Sequence, residues 1–380
     1  MSKTKVISTL LIIIILGFGY YDLFYYQNVI KSDTITLEDR EANIVNGLVI
    51  QKIQSDTLWA SRGYTLYRST DDANSFKKVF KVPIPIFDKA YLGNSRFVRK
   101  MFRLYDLTEL IISESGSFIV FAGGKIFRSD DSGQSFKVVH TLNYYGVGEG
   151  RGIMPLGIAK DSKGNIYFGE YRTGTGRPDI KVYKSSDDGL TWNPYYNFEG
   201  AVRHIHAIQY DKYKDKIWVA TGDTDSESKI GFLNSSGIFT PILEGKQEYR
   251  AVSLMFDEGH IYWGMDSPSR TNYIFRANRY DYKVEQLQTV TKPVYYNLHT
   301  INGKMFMGTT IEQGKNVGDG RVDIWKSKDG IHWEIHLAFE ADAEGRGHGY
   351  VRFPRGIHSE KVAFSLINTR EYNESIIVLQ

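Results

Sequence analysis

Ser185-Ser186-Asp187-Asp188-Gly189-Leu190-Thr191-Trp192 is one of four versions of a single motif in this 380-residue chain. The others are Ser129–Phe136 (SDDSGQSF), Ser69–Phe76 (STDDANSF, with alanine in place of glycine) and the shorter Ser327–Trp333 (SKDGIHW). A short β-rich run such as Val182-Tyr183-Lys184 precedes each one. The recurrence of the motif at the same place after a strand predicts a repeated β-structure.

The motif suits a tight turn between two antiparallel strands. An aspartate can accept hydrogen bonds from the N–H groups of a turn, glycine adopts a positive φ, and an aromatic residue packs between sheets. The pattern S-x-D-x-G-x-[ST]-[WF] resembles the Asp-box, or BNR, repeat of sialidases and related β-propellers. The resemblance implies that these residues are structural and that the chain is an all-β propeller.

The spacing of the motifs predicts the number of blades. The interval between the boxes at Ser185 and Ser327 is more than twice the earlier intervals, which leaves room for two degenerate repeats. The third strands of these two repeats are predicted at Ile230–Asn234 and Tyr273–Ala277. A period of roughly 45–60 residues with four strands each is typical of a propeller. The expected second strands of successive blades are Lys216–Ala220, His260–Gly264 and Lys304–Gly308.

The last blade needs a strand from the start of the chain. After the fourth box, Gly349–Phe353, Lys361–Ser365 and Ser375–Leu379 supply three strands. Asp33–Leu37 is the predicted fourth strand, which would close the ring and remove the exposed sheet edges. We predict seven four-stranded blades, with six as the alternative.

The N-terminus indicates the compartment. Lys3 and Lys5 precede the apolar run Val6–Gly19, and tyrosines follow it. This pattern predicts a cytoplasmic tail at 1–5, an uncleaved signal anchor or transmembrane helix at 6–24, and a propeller domain at 30–380 outside the cytoplasm. A cleaved signal and secretion are the alternative. The chain has no cysteine, so disulfides contribute nothing.

The overall charge gives no sign of a polyanionic partner. The formal net charge is only +3, so no nucleic-acid binding is expected.

The topology of a four-stranded blade restricts where a site lies. The start of the first strand and the loop between strands two and three share one face, and the boxes lie on the other. Arginine and histidine recur at the first of these faces, and guanidinium groups suit carboxylate or sulfate. The predicted ligand-binding residues are Arg151, Arg172, Arg203, His206, Arg250, His299, Arg346, His348 and Arg352.

His204 and His206 form the sharpest local feature. Residues two apart on a strand point to the same side, so the pair suits either a metal or acid–base chemistry. Asp223 and Asp225 are candidate further ligands, and their alternation with Thr224 suggests calcium as one option. We expect no cofactor, and calcium or another divalent metal is the alternative.

Two functional classes follow. Val351-Arg352-Phe353-Pro354 is similar to the sialidase arginine motif but lies near the C-terminus. In the first class, a membrane-anchored propeller binds an anionic polysaccharide and cleaves it as a glycoside hydrolase or lyase. Arg203, Arg250 and Arg352 would neutralise a carboxylate, His204 or Tyr171 would abstract a proton, and Glu170 would act as acid–base or orienting group. In the second class, a non-catalytic scaffold binds protein partners.

Overall fold

The structure is a computed structural model that describes residues 27–94, 106–312, 319–342, 348–355 and 360–380. The predicted anchor at 6–24 and Arg346 lie outside these residues. Within the described part of the chain, no helix has the length and apolar character needed to cross a membrane. The anchor therefore stays a prediction.

Almost all of the regular structure is antiparallel β. The first strands are β1 (Val29–Lys31), β2 (Asp33–Leu37), β3 (Arg40–Asn46), β4 (Val49–Gln54), β5 (Thr57–Arg62), β6 (Thr65–Ser69) and β7 (Ser75–Lys81). Next come β8 (Leu107–Ile112), β9 (Phe118–Ala122), β10 (Lys125–Ser129), β11 (Lys137–Thr141), β12 (Tyr145–Gly146) and β13 (Gly150–Arg151). The third group is β14 (Ile158–Lys160), β15 (Ile166–Gly169), β16 (Lys181–Ser185), β17 (Asn193–Asn197), β18 (Ile205–Asp211), β19 (Lys216–Thr221), β20 (Lys229–Leu233) and β21 (Phe239–Glu244).

The remaining strands complete the ring. They are β22 (Ala251–Phe256), β23 (His260–Met265), β24 (Asn272–Asn278), β25 (Val284–Val290), β26 (Val294–His299), β27 (Met305–Ile311), β28 (Arg321–Ser327), β29 (Glu334–Glu340), β30 (Gly349–Arg352), β31 (Val362–Ile367) and β32 (Ser375–Leu379). Short 3₁₀ helices cover Lys89–Asn94, Asp225–Glu227 and Gln247–Tyr249.

Seven blades can be counted within the described residues, as predicted. Blades 1 to 6 begin at β4, β8, β14, β18, β22 and β26, and each has four strands in sequence order. Blade 1 gains β1 at its outer edge. Blade 7 contains β30, β31 and β32, and a short pairing between β27 and β30 links it to blade 6.

Burial explains the order of strands within a blade. The inner strand β22 (AVSLMF) is buried at every position, because both of its sides face protein. The outer strand β25 (VEQLQTV) exposes several of its polar residues. The inner strands of neighbouring blades contact each other, as β14 does with β18 and β18 with β22. Between blades 4 and 5, Trp218 and Trp263 belong to one apolar cluster.

The ring closes one strand later than predicted. Ala42 to Asn46 in β3 pair with β32, so Arg40–Asn46 is the fourth strand of blade 7. Asp33–Leu37 pairs only with β3 and adds a fifth strand outside it. The prediction was wrong here because both segments suit a strand, whereas only β3 has a run of buried residues (Ala42 to Val45) to place against the blade.

The box turns are held together by hydrogen bonds within the motif. Ser185 Oγ donates to Asp187 Oδ1 at 2.8 Å and accepts the N–H of Gly189 at 2.9 Å. The other end of the turn donates to the same carboxylate, through the N–H (2.9 Å) and hydroxyl (2.6 Å) of Thr191. The turns at Asp71 and Asp131 repeat this pattern.

The fourth box keeps the geometry with a different donor. His332 Nδ1 takes the place of the hydroxyl and donates to Asp329 Oδ2 at 2.7 Å. Gly330 takes the position of Gly189, with φ of 72° and 80° respectively. Ala73 has the same conformation at φ 63°, although it carries a Cβ. All four boxes lie between third and fourth strands, on the side that we call the box face.

Candidate functional site

A group of polar side chains meets on the opposite side, which we call the mouth face. Loops after second strands and the starts of inner strands in blades 3, 4, 5 and 6 supply them. We call this group the mouth cluster, and its members are Tyr171, Arg203, His204, His206, Asp223, Arg250, Asp266, Tyr295 and Glu312.

The two histidines are buried and their ring orientation is fixed. His204 Nδ1 lies 2.6 Å from the carbonyl oxygen of Arg172, and His206 Nδ1 lies 3.1 Å from that of Ala251. The two Nε2 atoms face each other at 2.9 Å. Burial lowers the pKa of His204 to about 3, so this imidazole is neutral at pH 7. The ring of Tyr171 stacks on His204 with centroids 4.3 Å apart.

Asp223 connects the histidines to two arginines. Its Oδ2 lies 3.3 Å from His204 Nε2, and its Oδ1 lies 3.7 Å from His206 Nε2. Arg203 pairs with Oδ2, and Arg250 pairs with Oδ1 at 3.0 Å. The cluster thus brings together the predicted residues of blade 4 and blade 5.

Gly222 allows this close packing. A Cβ at that position would lie 2.6 Å from Cε1 of His206 and 2.9 Å from Cγ of Arg250. Any side chain there would push the imidazole away from the guanidinium group. Gly222 therefore holds the second-to-third-strand loop of blade 4 against both residues.

Two carboxyl groups extend the cluster towards blade 6. Arg250 Nε donates to Asp266 Oδ2 at 3.2 Å, and Asp266 Oδ1 is buried with no hydrogen-bond partner among the described residues. Burial raises the pKa of Asp266 to about 7, against the opposing effect of Arg250. Burial also raises the pKa of Glu312, which accepts a hydrogen bond from the Tyr295 hydroxyl. Both carboxyl groups therefore hold protons at higher pH than exposed ones do.

More aromatic side chains lie beside the mouth cluster. Tyr295 and Tyr350 have ring centroids 6.1 Å apart, and Tyr296 and Tyr350 are 5.8 Å apart. The phenols of Tyr350 and Tyr296 act electrostatically on Arg151. Arg151 thus lies beside the cluster, although it belongs to the small β12–β13 hairpin and not to an inner strand. The His348 ring lies 6.5 Å from Tyr295.

Two predicted residues next to Tyr171 turn away from the cluster. The carboxylate of Glu170 accepts hydrogen bonds from Asn143 Nδ2 (2.7 Å) and the N–H of Lys181 (2.8 Å). Its partners anchor the loop beside β16. The guanidinium group of Arg172 donates to the carbonyl of Thr175 at 2.6 Å, and only its backbone carbonyl reaches His204.

Two others lie deeper or on the far side. Arg352 is at the end of β30, where it donates to Gln51 Oε1 (2.5 Å) and the carbonyl of Thr108 (2.9 Å). It is a buried link between blade 7 and the first two blades. His299 ends β26 and does not begin it, so it lines a cavity of about 580 Å³ on the box face with Asp257 and His260.

Asp225 is separate from Asp223. It lies in a 3₁₀ helix, is exposed, and pairs with Arg270 at 3.4 Å. The two aspartates therefore do not form the calcium loop that their spacing suggested. Among the described residues, His204, His206 and Asp223 are the one His, Cys or carboxylate group close enough to share an ion.

Sequence reasoning missed Tyr295 and Glu312. Tyr295 is the second residue of β26, and Glu312 follows β27, so both occupy the topological positions that identified Arg250 and Asp223. Their position in the blade, and not their residue type, was the feature that could have identified them as site residues. Asp266 follows β23 in the same way.

Comparison with known proteins identifies the architecture. No family model matches the chain, and no curated protein matches its sequence. The structure is similar to virginiamycin B lyase from Staphylococcus aureus, with 15% identity, a TM-score of 0.57, and coverage of 92% of this chain and 99% of the other. It is also similar to oligogalacturonate lyase in complex with manganese, with 10% identity, a TM-score of 0.60, and coverage of 92% and 96%. These likenesses show the propeller fold, and the sialidase relationship remains a resemblance in the box motifs.

Proposed function

We propose that the mouth cluster binds an acidic saccharide and supports its cleavage by β-elimination. The observation that carries the proposal is the meeting of Arg203 and Arg250 at Asp223, beside the half-buried rings of Tyr171 and Tyr295. Guanidinium groups bind carboxylates through paired hydrogen bonds, and aromatic faces pack on sugar rings.

The charge balance favours an anionic ligand. Arg203 and Arg250 share Asp223 as a carboxylate partner, while burial raises the pKa of Asp266 and of Glu312 and so disfavours their charged forms. An additional carboxylate from the ligand would complete the pairing. Within the part of the chain that the structure describes, Arg203 Nε has no hydrogen-bond partner, so it is a donor that such a ligand would use.

Elimination at a uronate requires little beyond these groups. The proton at C5 moves to a base, the C4–O4 bond breaks with its electron pair going to oxygen, and that oxygen takes up a proton. A C4=C5 double bond forms, and neither water nor an oxidant is consumed. The arginines would stabilise the developing negative charge, and the Tyr295–Glu312 pair and Asp266 are the groups that can transfer protons.

Names of structural neighbours agree with this class of reaction. Two of them are lyases, and one of those names contains a uronate oligomer. Their low identity carries no residue assignment to this chain. The predicted location outside the cytoplasm would give the site access to polymers, while the membrane anchor remains part of the proposal.

Binding to defined oligosaccharides tests the proposal. Full-length protein is titrated with oligogalacturonate, alginate and hyaluronan oligomers, while ultraviolet absorbance detects unsaturated uronate and a reducing-end assay detects hydrolysis. Arg203→Ala should weaken binding by about 2–4 kcal/mol, and Arg203→Lys should recover only part of it. Arg270→Ala is the matched control, since Arg270 is an exposed arginine that pairs with Asp225.

The result also separates the two functional classes. Saccharide binding that needs Arg203 but not Arg270 supports the site. If none of the three oligomers binds, or if both variants lose affinity equally, the saccharide proposal is wrong. The scaffold for protein partners would then remain.

A further inference from the structure

We propose that His204, His206 and Asp223 form a binding site for a divalent transition-metal ion. The three side chains come from one blade, at the start of β18 and in the loop after β19. Both imidazoles are buried, and the carboxylate of Asp223 beside them is partly exposed.

Hydrogen bonding fixes the position of the protons on both rings. A carbonyl oxygen can only accept, so the Nδ1 atoms of His204 and His206 must donate to Arg172 and Ala251 respectively. A neutral imidazole has one N–H, and therefore both Nε2 atoms carry a lone pair. These lone pairs face each other at 2.9 Å. Two acceptors at that distance repel unless a cation or a shared proton lies between them.

The distances suit a metal ion. Zinc–nitrogen and zinc–oxygen bonds are about 2.0–2.2 Å, which places neighbouring ligand atoms about 2.8–3.1 Å apart in octahedral geometry and about 3.3–3.6 Å apart in tetrahedral geometry. The Nε2 pair is 2.9 Å apart, and Asp223 Oδ2 is 3.3 Å from His204 Nε2. The second contact, from Oδ1 to His206 Nε2, is longer at 3.7 Å.

The surroundings resemble the outer shell of a metal site. Metal-ligating histidines commonly donate the other ring N–H to a backbone carbonyl, which fixes the ring orientation. Both histidines do so here. Arg203 and Arg250 hold the carboxylate of Asp223 in place, and each of its oxygens retains a second lone pair for an ion.

The ligand set selects the type of metal. Two imidazoles and one carboxylate favour zinc, manganese, iron, cobalt, nickel or copper, whereas calcium prefers six to eight oxygens. Because Nε2 of His204 would be coordinated, His204 would not be the general base that the sequence suggested. The site would leave coordination positions open towards the mouth, where a ligand carboxylate could bind.

Metal binding is measured without any saccharide, so its outcome is independent of the proposed function. Full-length protein is stripped with a chelator and titrated separately with Zn²⁺, Mn²⁺, Co²⁺ and Ca²⁺. We expect one equivalent of Zn²⁺ to bind and to raise the melting temperature, and Co²⁺ to give visible absorption bands. Millimolar Ca²⁺ should produce neither effect.

His204→Asn and His206→Asn are the informative variants. Asparagine can keep the N–H donor to the backbone carbonyl but lacks the Nε2 ligand atom. Each should weaken Zn²⁺ binding by more than about 100-fold, since loss of an outer-shell partner alone costs about 10–100-fold. His299→Asn, on the box face, should bind Zn²⁺ as the wild type does.

Melting curves of the metal-free variants check that they fold. The proposal is overturned if the wild type binds none of the three transition metals stoichiometrically. It is also overturned if both folded asparagine variants bind Zn²⁺ normally, or if ¹⁵N spectra of metal-saturated protein show a proton shared between the two Nε2 atoms.

Discussion

The box face and the mouth face differ in how far along the chain their contacts reach. In a box turn, Ser185, Asp187 and Thr191 form a complete hydrogen-bond set within seven residues. At the mouth, His204 bonds to Arg172, and His206 bonds to Ala251 in the next blade, 45 residues later. A structural turn is thus encoded locally, whereas the site exists only after the blades assemble. The predictions below test this separation.

The largest effect is expected from Arg250→Ala. This change removes the partner of Asp266 and one of the partners of Asp223. Breaking a buried ion pair costs about 3–5 kcal/mol of unfolding free energy, and the ligand should also lose affinity. Denaturant unfolding at pH 8 measures the loss. Arg203→Ala is the control, because it leaves Asp266 paired, and an equal loss in both variants would contradict the special role of Arg250.

The next prediction concerns pH. The folded-state pKa of Asp266 is raised to about 7, above its ordinary value of 3.8, because the site is buried. The folded state therefore binds this proton more tightly, and the contribution to stability falls as pH rises from about 4 to 7. Asp266→Asn should raise the melting temperature at pH 8 and have less effect at pH 5. A shift that is equal at both pH values would show that Asp266 does not titrate in this range.

A box substitution should affect stability alone. Asp187→Ala removes the acceptor of three hydrogen bonds and should cost about 1–2 kcal/mol in denaturant unfolding. Metal and saccharide binding should be unchanged, because the box lies on the opposite face. Asp225→Ala, an exposed aspartate on the mouth face, serves as the control for removal of a charge. Normal unfolding combined with lost binding would overturn the assignment of the two faces.

The smallest effect is expected at Ala73. This residue has φ 63° where the three other boxes have glycine, and the left-handed conformation is unfavourable for a residue with a Cβ. Ala73→Gly should stabilise the protein by up to about 1 kcal/mol, with the reference change Ala60→Gly in a regular strand destabilising it. A loss of stability at Ala73 would mean that burial of its methyl group outweighs backbone strain.

How much the sequence predicts follows from the same contrast. The boxes, the degenerate third strands at Ile230–Asn234 and Tyr273–Ala277, and the seven blades were predicted because each depends on a short segment. The direction in which a side chain points was harder to predict. Glu170 and Tyr171 are adjacent in the same loop, yet only Tyr171 faces the cluster, because neighbours in an extended segment point to opposite sides.

The remaining errors of prediction concern contacts between residues far apart in the sequence. Arg352 belongs to a pattern similar to a known arginine motif, but its partners Gln51 and Thr108 come from the other end of the chain. The fourth strand of blade 7 was misassigned for the same reason. Asp33–Leu37 and Arg40–Asn46 are both strands, and only the three-dimensional pairing decides which one meets β32.

That pairing gives the molecule an order of completion during synthesis. β3 lies near the start of the propeller sequence, and its partner β32 follows all the other strands of the ring. Until β32 has been synthesised, blade 7 lacks the strand that pairs with β3, and β3 presents one unpaired edge. A ribosome stalled before Ser375, or a nonsense mutation there, would leave an open ring. β32 is therefore the strand that completes the ring, and the propeller cannot close before it has been translated.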